Sequence, residues 1–93
     1  MKKEKVDDKH LSRDEYDTLD FLATRSRMDC WFMLKTDKQG NDYVFDLEEN
    51  KKLSLKDGVA MMYEGLTDLD DYNLYDGQKE ILENLFRRLG ICE

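Results

Sequence analysis

From Leu11 to about Arg27 the apolar positions recur three and four residues apart. Tyr16, Leu19, Leu22 and Ala23, with Ser26 at the end, lie on one stripe, while Asp14, Asp17, Thr18 and Arg25 fall on other faces. That period predicts an amphipathic first helix. Ser12 with Glu15 fits a capping box, in which the Ser hydroxyl takes the N3 amide and the Glu carboxylate reaches back to the cap. Leu11 and Tyr16 are placed for a hydrophobic staple, and Phe21 lies off the stripe.

Between Cys30 and Thr36 the period falls to two. Trp31, Met33 and Lys35 share one side, and Cys30, Phe32, Leu34 and Thr36 the other. Both sides are largely apolar, which predicts a central strand covered on both faces, with Cys30 buried in it. Asp37–Asn41 reads as a turn in which Gly40 takes a positive φ. Asp42–Leu47 is the return strand, with Tyr43, Phe45 and Leu47 expected inside and Asp42, Val44 and Asp46 on the wetter side. A second polar turn spans Glu48–Lys52, and Lys52–Leu53 can add a short third strand.

Ser54 then caps a second helix, with Asp57 at N3 and Leu55, Val59, Met62 and Leu66 as its buried stripe. Gly65 before Leu66 predicts a left-handed helix stop. Thr67–Tyr72 is an acidic connector. Asn73 with Asp76 can start a last helix whose apolar face is Ile81, Leu82, Leu85, Phe86 and Leu89. Arg87 and Arg88 suit the negative end of its dipole, and Gly90–Ile91 repeats the stop. The predicted fold class is α+β: an N-terminal helix, a small antiparallel β-hairpin or three-stranded meander, and two C-terminal helices packed on the sheet. Leu19, Phe45, Val59 and Leu85 are expected to share its interior. Residues 1–10, mostly charged, read as a flexible tail, and residues 11–93 as a single domain.

Composition narrows the function. At 93 residues one modest core is available. Charged residues make up 40% of the chain, well above the usual share of about a quarter, so a small core sits inside a densely charged surface. The net charge is −7, with the acid concentrated in the helical ends and the first dozen residues leaning basic. Such a surface repels phosphate backbones and anionic lipid, which argues against direct binding to nucleic acid or membrane. No apolar run approaches the roughly 20 residues of a membrane span, and the basic start lacks the hydrophobic stretch of a signal peptide. Cys30 and Cys92 have neither metal-like nor redox spacing, so both read as reduced thiols in a cytoplasmic protein.

Candidate chemistry centres on Asp68, Asp70, Asp71, Asp76 and Glu80. An EF-hand loop started at Asp68 fails, because Asn73 stands where Gly is needed and Lys79 where the closing Glu is needed. Carboxylates at phosphate-like density could instead imitate DNA, if Asp14, Asp17 and Asp20 lie beside the Asp68–Asp76 group; fifteen basic residues argue against a pure mimic. His10 is the one histidine and falls in the expected tail, so no catalytic triad can be built around it. No glycine-rich phosphate loop is present, and no cofactor is expected. Trp31, Tyr43, Phe45 and Tyr63 are candidates for an aromatic patch, with closure of the core the alternative. Tyr72 and Tyr75, in the polar connector, are the stronger partner-binding candidates alongside Asp68, Asp70, Asp71 and Asp76. Met61 and Met62 read as core filler.

At DKQGNDYVFDLEENKKLSL, with Trp31-Phe32, Asp37-x-x-Gly40, Tyr43-x-Phe45-Asp46-Leu47 and Leu53-Ser54-Leu55, the chain resembles short acidic proteins carried by conjugative elements and phages of Gram-positive bacteria. That resemblance covers about half the chain and assigns no functional residue. It implies an accessory role in a mobile element, inhibition of a host nuclease included. The expectation is a non-enzymatic cytoplasmic protein, monomer or homodimer, that acts by binding an unknown protein partner. The alternative is an acidic DNA mimic that inhibits a nucleic-acid-binding host enzyme.

Overall fold

The structure, a computed structural model, describes residues 9–91. Helix α1 spans Arg13–Arg25, strands β1, β2 and β3 span Phe32–Thr36, Asp42–Asp46 and Lys51–Ser54, and helices α2 and α3 span Leu55–Glu64 and Gln78–Arg88. Short 3-10 turns at Met28–Cys30 and Leu69–Tyr72 link them. The sheet is an antiparallel meander in the order β1-β2-β3, so the α+β architecture is as expected.

Local chemistry sets the element ends. The capping box at α1 is complete: Glu15 N donates to Ser12 Oγ, and Ser12 N donates to Glu15 Oε1. Ser54 Oγ likewise accepts from Asp57 N at the start of α2. Gly90, at φ +76, closes α3: its amide donates to Arg87 O and the Ile91 amide to Phe86 O, the paired bonds of a Schellman stop. Gly65 differs from expectation. It keeps a right-handed φ of −88, so α2 ends without a left-handed residue. α3 also starts later than its sequence suggests, with Gly77 as its cap, because Asn73 is left-handed (φ 55) and ends the preceding 3-10 turn. The helix expected to run to Arg27 stops at Arg25, where Ser26 caps it and Arg27 turns left-handed at φ 67.

One core unites Leu19, Leu22, Ala23, Val44, Leu55, Val59, Met62, Leu82, Leu85, Phe86 and Leu89. α2 is seated on β2 and β3, α1 reaches β1, and α3 packs along α1. All three helices therefore gather on one side of the sheet. Thr18, placed by its sequence on an outer face, is buried, while Tyr16 is half-buried and its hydroxyl donates to Leu34 O. Burial pushes the Tyr16 phenol above its ordinary pKa.

The sheet departs from expectation in two ways. β1 is an edge strand and β2 is the central one; Cys30 is exposed in a 3-10 turn rather than buried in a strand. The facing of β2 is also opposite to that predicted. Asp42, Val44 and Asp46 are buried, Tyr43 and Phe45 are half-buried, and Leu47 is exposed. Phe45 thus lies outside the interior that Leu19, Val59 and Leu85 share.

Both aspartates serve as backbone anchors, which is why they can face inward. Asp42 takes the Leu11 amide at 2.7 Å and the Thr36 hydroxyl at 2.6 Å. Asp46 takes the amides of Glu48 and Glu49, both at 3.0 Å, and so folds the β2–β3 turn. Between them Val44 meets α2. It does so at Gly58, where a Cβ would lie 2.3 Å from Val44 Cβ. A ring at position 44 has no room there.

Of the expected tail, Met1–Asp8 lies outside the described residues. Lys9 and His10 are tied to the domain: Asp42 N donates to Lys9 O, and Arg88 reaches His10 O.

Candidate protein-docking face

With α1, α2 and α3 on one side, the described residues leave the other face of the sheet open. The β1–β2 register pairs Met33 with Phe45 and Lys35 with Tyr43, and Leu47 N donates to Trp31 O, which extends the same pairing by one row. Across β2, Phe45 faces Lys52 and Tyr43 faces Ser54. Side chains two apart on a strand share a face. The open face therefore carries Met33 and Lys35 from β1, Tyr43, Phe45 and Leu47 from β2 and its end, and Lys52 and Ser54 from β3; Trp31, whose backbone is in the helical region (φ −114, ψ −31), is exposed at the entry to β1.

Such a face is unusual for a solvated sheet, whose outer positions are ordinarily polar. Trp31 is 50% exposed and Met33 44%, with Leu47 exposed beside them. Lys35 Nζ lies 5.5 Å from the Phe45 ring centroid and Lys52 Nζ 4.5 Å from that of Tyr43, so the two ammonium groups cover the rings that their neighbours in the sheet present. No outward-facing strand residue is a carboxylate, although the chain has 22 acidic residues. At the rim, Asp37 pairs with Lys52 at 3.3 Å. Hydrogen bonds hold the Asp37 carboxyl below its ordinary pKa, that from the Asn41 amide foremost, with the Lys52 ammonium and Gln39 amide adding to it. The same bonds tie the DKQGN turn, where Gly40 takes φ +85 as expected.

The acidic connector is occupied with itself. Asp68 caps the 3-10 turn by accepting from the Asp70 amide, and Asp70 holds Lys79 at 3.0 Å, which raises the lysine pKa. Asp71 accepts from the Thr67 hydroxyl. Tyr72, expected to be displayed, is half-buried against the core, and its hydroxyl accepts from the Thr67 amide at 2.8 Å. Tyr75 is 64% exposed and lies over Phe21, ring centroids 5.4 Å apart; Asp76 is exposed beside it. Of the six residues named from sequence, Tyr75 and Asp76 are those presented outward without a connector contact of their side chains.

Asp14 and Asp17 of α1 do not extend this cluster, and Asp20 lines a hollow with Phe32 and Leu34 of β1. Glu15 near the start of α1 pairs with Arg88 at the end of α3, 2.8 Å apart, while Phe21 near the end of α1 meets Tyr75 before α3. The helices therefore run antiparallel. Asp14 and Asp17 stand at the Arg87–Arg88 end, and Asp17 also pairs with Arg13. An open groove of about 680 Å³ between α2, the connector and α3 mixes both signs, with Glu64, Asp68 and Glu83 against Lys79 and Arg87. Tyr63 lines it, edge-on to Phe86. Met62 is buried as filler, but Met61 is exposed. Among the described residues, no group of three His, Cys, Asp or Glu is arranged to hold a metal ion, and no helix is long and apolar enough to cross a membrane.

No family model, curated protein or solved structure matches this chain.

The open face was legible in part. Met33-x-Lys35 and Tyr43-x-Phe45-x-Leu47 alternate in step, and closing the DKQGN turn brings them to one side. What the spacing does not reveal is which side of the sheet the helices take.

Proposed function

We propose that this chain is a non-enzymatic, cytoplasmic protein-binding module, and that it binds its partner through the open face of the sheet. The observation that carries this reading is the alignment of Met33, Phe45 and Leu47, with Trp31 exposed at the entry to β1, on a face that α1, α2 and α3 leave uncovered. Exposed apolar surface of this kind carries a standing solvation cost that a partner removes, and Trp, Tyr, Phe and Met are the residue types enriched at interface centres. The mixed-sign groove and the self-bonded connector give less support to a reaction centre. DNA mimicry is also less well supported, because Arg13, Lys79 and Arg88 stand among the carboxylates it would need. The accessory role in a mobile element rests on the sequence resemblance alone.

The test compares affinity capture from the native host by the natural chain and by a Trp31→Ser, Met33→Ser, Phe45→Thr variant. Thr at position 45 keeps a strand-forming residue. The expected result is a protein retained by the natural chain and lost by the variant, at closely similar melting temperatures. Identical retained sets would refute the reading.

A further inference from the structure

We infer that the occupant of the open face is an acidic amphipathic helix of the partner protein, laid across the three strands. This rests on the docking face proposed above and adds the chemistry of what it takes.

Three observations combine. The first is charge segregation. In a chain of net charge −7, the outward-facing strand residues carry two lysines and no carboxylate. A covering surface must leave Lys35 and Lys52 with counter-charges, since cations buried without them are strongly disfavoured. Of the two, Lys52 pairs with the rim carboxylate of Asp37 at 3.3 Å.

The second is what this does to self-association. A two-fold dimer through this face apposes the same patch on both copies. It would bring four lysines together with no carboxylate on either outward-facing surface. A second copy of the chain is therefore a poor occupant.

The third is size. Five strand residues span about 17 Å, and three strands about 10 Å between the outer two. That platform is narrower than a standard interface of about 800 Å² per partner. It matches a single helix, which is about 10–12 Å across with its side chains. Such a helix would place apolar residues against Met33 and Leu47 and carboxylates over Lys35 and Lys52, completing a three-layer arrangement with the sheet between helices.

Single-stranded nucleic acid fits less well. Aromatic rings on a sheet can stack bases, but here the rings of Phe45 and Tyr43 are already covered by lysine ammoniums. Two lysines on the face also offer few phosphate contacts to a chain whose overall field repels polyanions.

The experiment titrates three probes into isotopically labelled full-length protein and reads backbone amide shifts and Trp31 fluorescence. One is a helical peptide of about 15 residues with Leu and Trp on one face and Glu on the other. The second has every Glu replaced by Lys. The third is a single-stranded oligothymidylate of similar length. The inference expects the acidic peptide to bind at least tenfold more tightly than the other two, with shifts confined to β1, β2, β3 and Trp31. The K35E/K52E double variant should lose that preference by at least tenfold while keeping its amide spectrum. Equal binding of both peptides, tighter binding of the oligonucleotide, shifts elsewhere on the surface, no binding of the acidic peptide, or a concentration-dependent dimer in sedimentation that the K35E/K52E change leaves intact would each overturn it. If capture from the host depends on Trp31, Met33 and Phe45 but is indifferent to K35E/K52E, the docking face stands and this assignment of its occupant falls.

Discussion

Gly58→Ala would place a methyl group where α2 crosses the central strand. The new Cβ would lie 2.3 Å from Val44 Cβ, 2.6 Å from Cγ2 and 3.0 Å from Cγ1. Elsewhere in a helix this exchange stabilises, because Gly costs about 1 kcal/mol relative to Ala. Here the neighbour has little freedom to yield. Val44 is fully buried, its β-branched side chain is stiff at χ1, and its strand is paired on both edges. Two Cβ atoms at that distance cannot be separated by rotating a side chain, so α2 must lift by roughly 1 Å. A gap of that size forfeits a quarter to a half of the dispersion attraction between the facing atoms. Overpacking of this kind costs about 1–3 kcal/mol, and the direct backbone-borne clash puts it near the upper end. Set against the helix gain of about 1 kcal/mol, the net expectation is a loss of about 2 kcal/mol. For a domain of this size that lowers the melting temperature by roughly 8–16 °C. Urea unfolding followed by circular dichroism measures it directly. Val44→Ala alone should cost about 2 kcal/mol from two buried methyl groups and the space they leave. The two changes share that space, so the double variant should be more stable than their sum by at least about 1 kcal/mol. A neutral or stabilising Gly58→Ala, or strict additivity with Val44→Ala, would refute the close crossing.

Other positions give sharper contrasts. Gly65→Ala should lie within about 0.5 kcal/mol of neutral, because φ there is right-handed and the nearest atom is the flexible end of Met28; thermal unfolding distinguishes this from Gly90→Ala, which should cost at least about 1 kcal/mol for a Cβ at φ +76. Asp42→Ala should cost about 2–4 kcal/mol in chemical unfolding, since it strips a charged acceptor from the Leu11 amide and the Thr36 hydroxyl. Asp37 has a folded-state pKa below its ordinary 3.8, so its contribution is present above that value and lost as pH falls through the folded-state pKa. A pH series of melting temperatures for the natural chain and Asp37→Asn should therefore show a difference at pH 7 that shrinks in acid, and a difference that grows in acid would contradict the assignment. Tyr72→Phe should cost about 1 kcal/mol through loss of the Thr67 hydrogen bonds, whereas Tyr75→Ala should change stability less, and the same unfolding series ranks them.

Element type and most element ends are written locally in this chain. A helix period with Ser12 and Glu15, a two-residue period interrupted by DKQGN, and Gly90 after the last apolar turn each act within a few residues, through backbone hydrogen bonds and steric limits on φ. Neighbours in sequence are enough to decide them. The facing of the sheet is not of that kind. Tyr43, Phe45 and Leu47 are more apolar than Asp42, Val44 and Asp46, so composition alone sends the wrong set inside. The tertiary structure reverses it because several partners act on β2 at once, Leu11 and Gly58 among them from far along the chain. Leu11 and Thr36 satisfy Asp42, the β2–β3 turn satisfies Asp46, and Gly58 gives α2 a close seat that admits Val44 and excludes a ring. Strand order is a long-range matter too: β1 looked central because both its faces are apolar, but one of those faces is the open surface. The sequence by itself determined a small, heavily charged α+β domain with capped helices. Which aromatic side chains were left outside it depended on how closely one helix could approach one strand, a distance set by residues far apart in the chain.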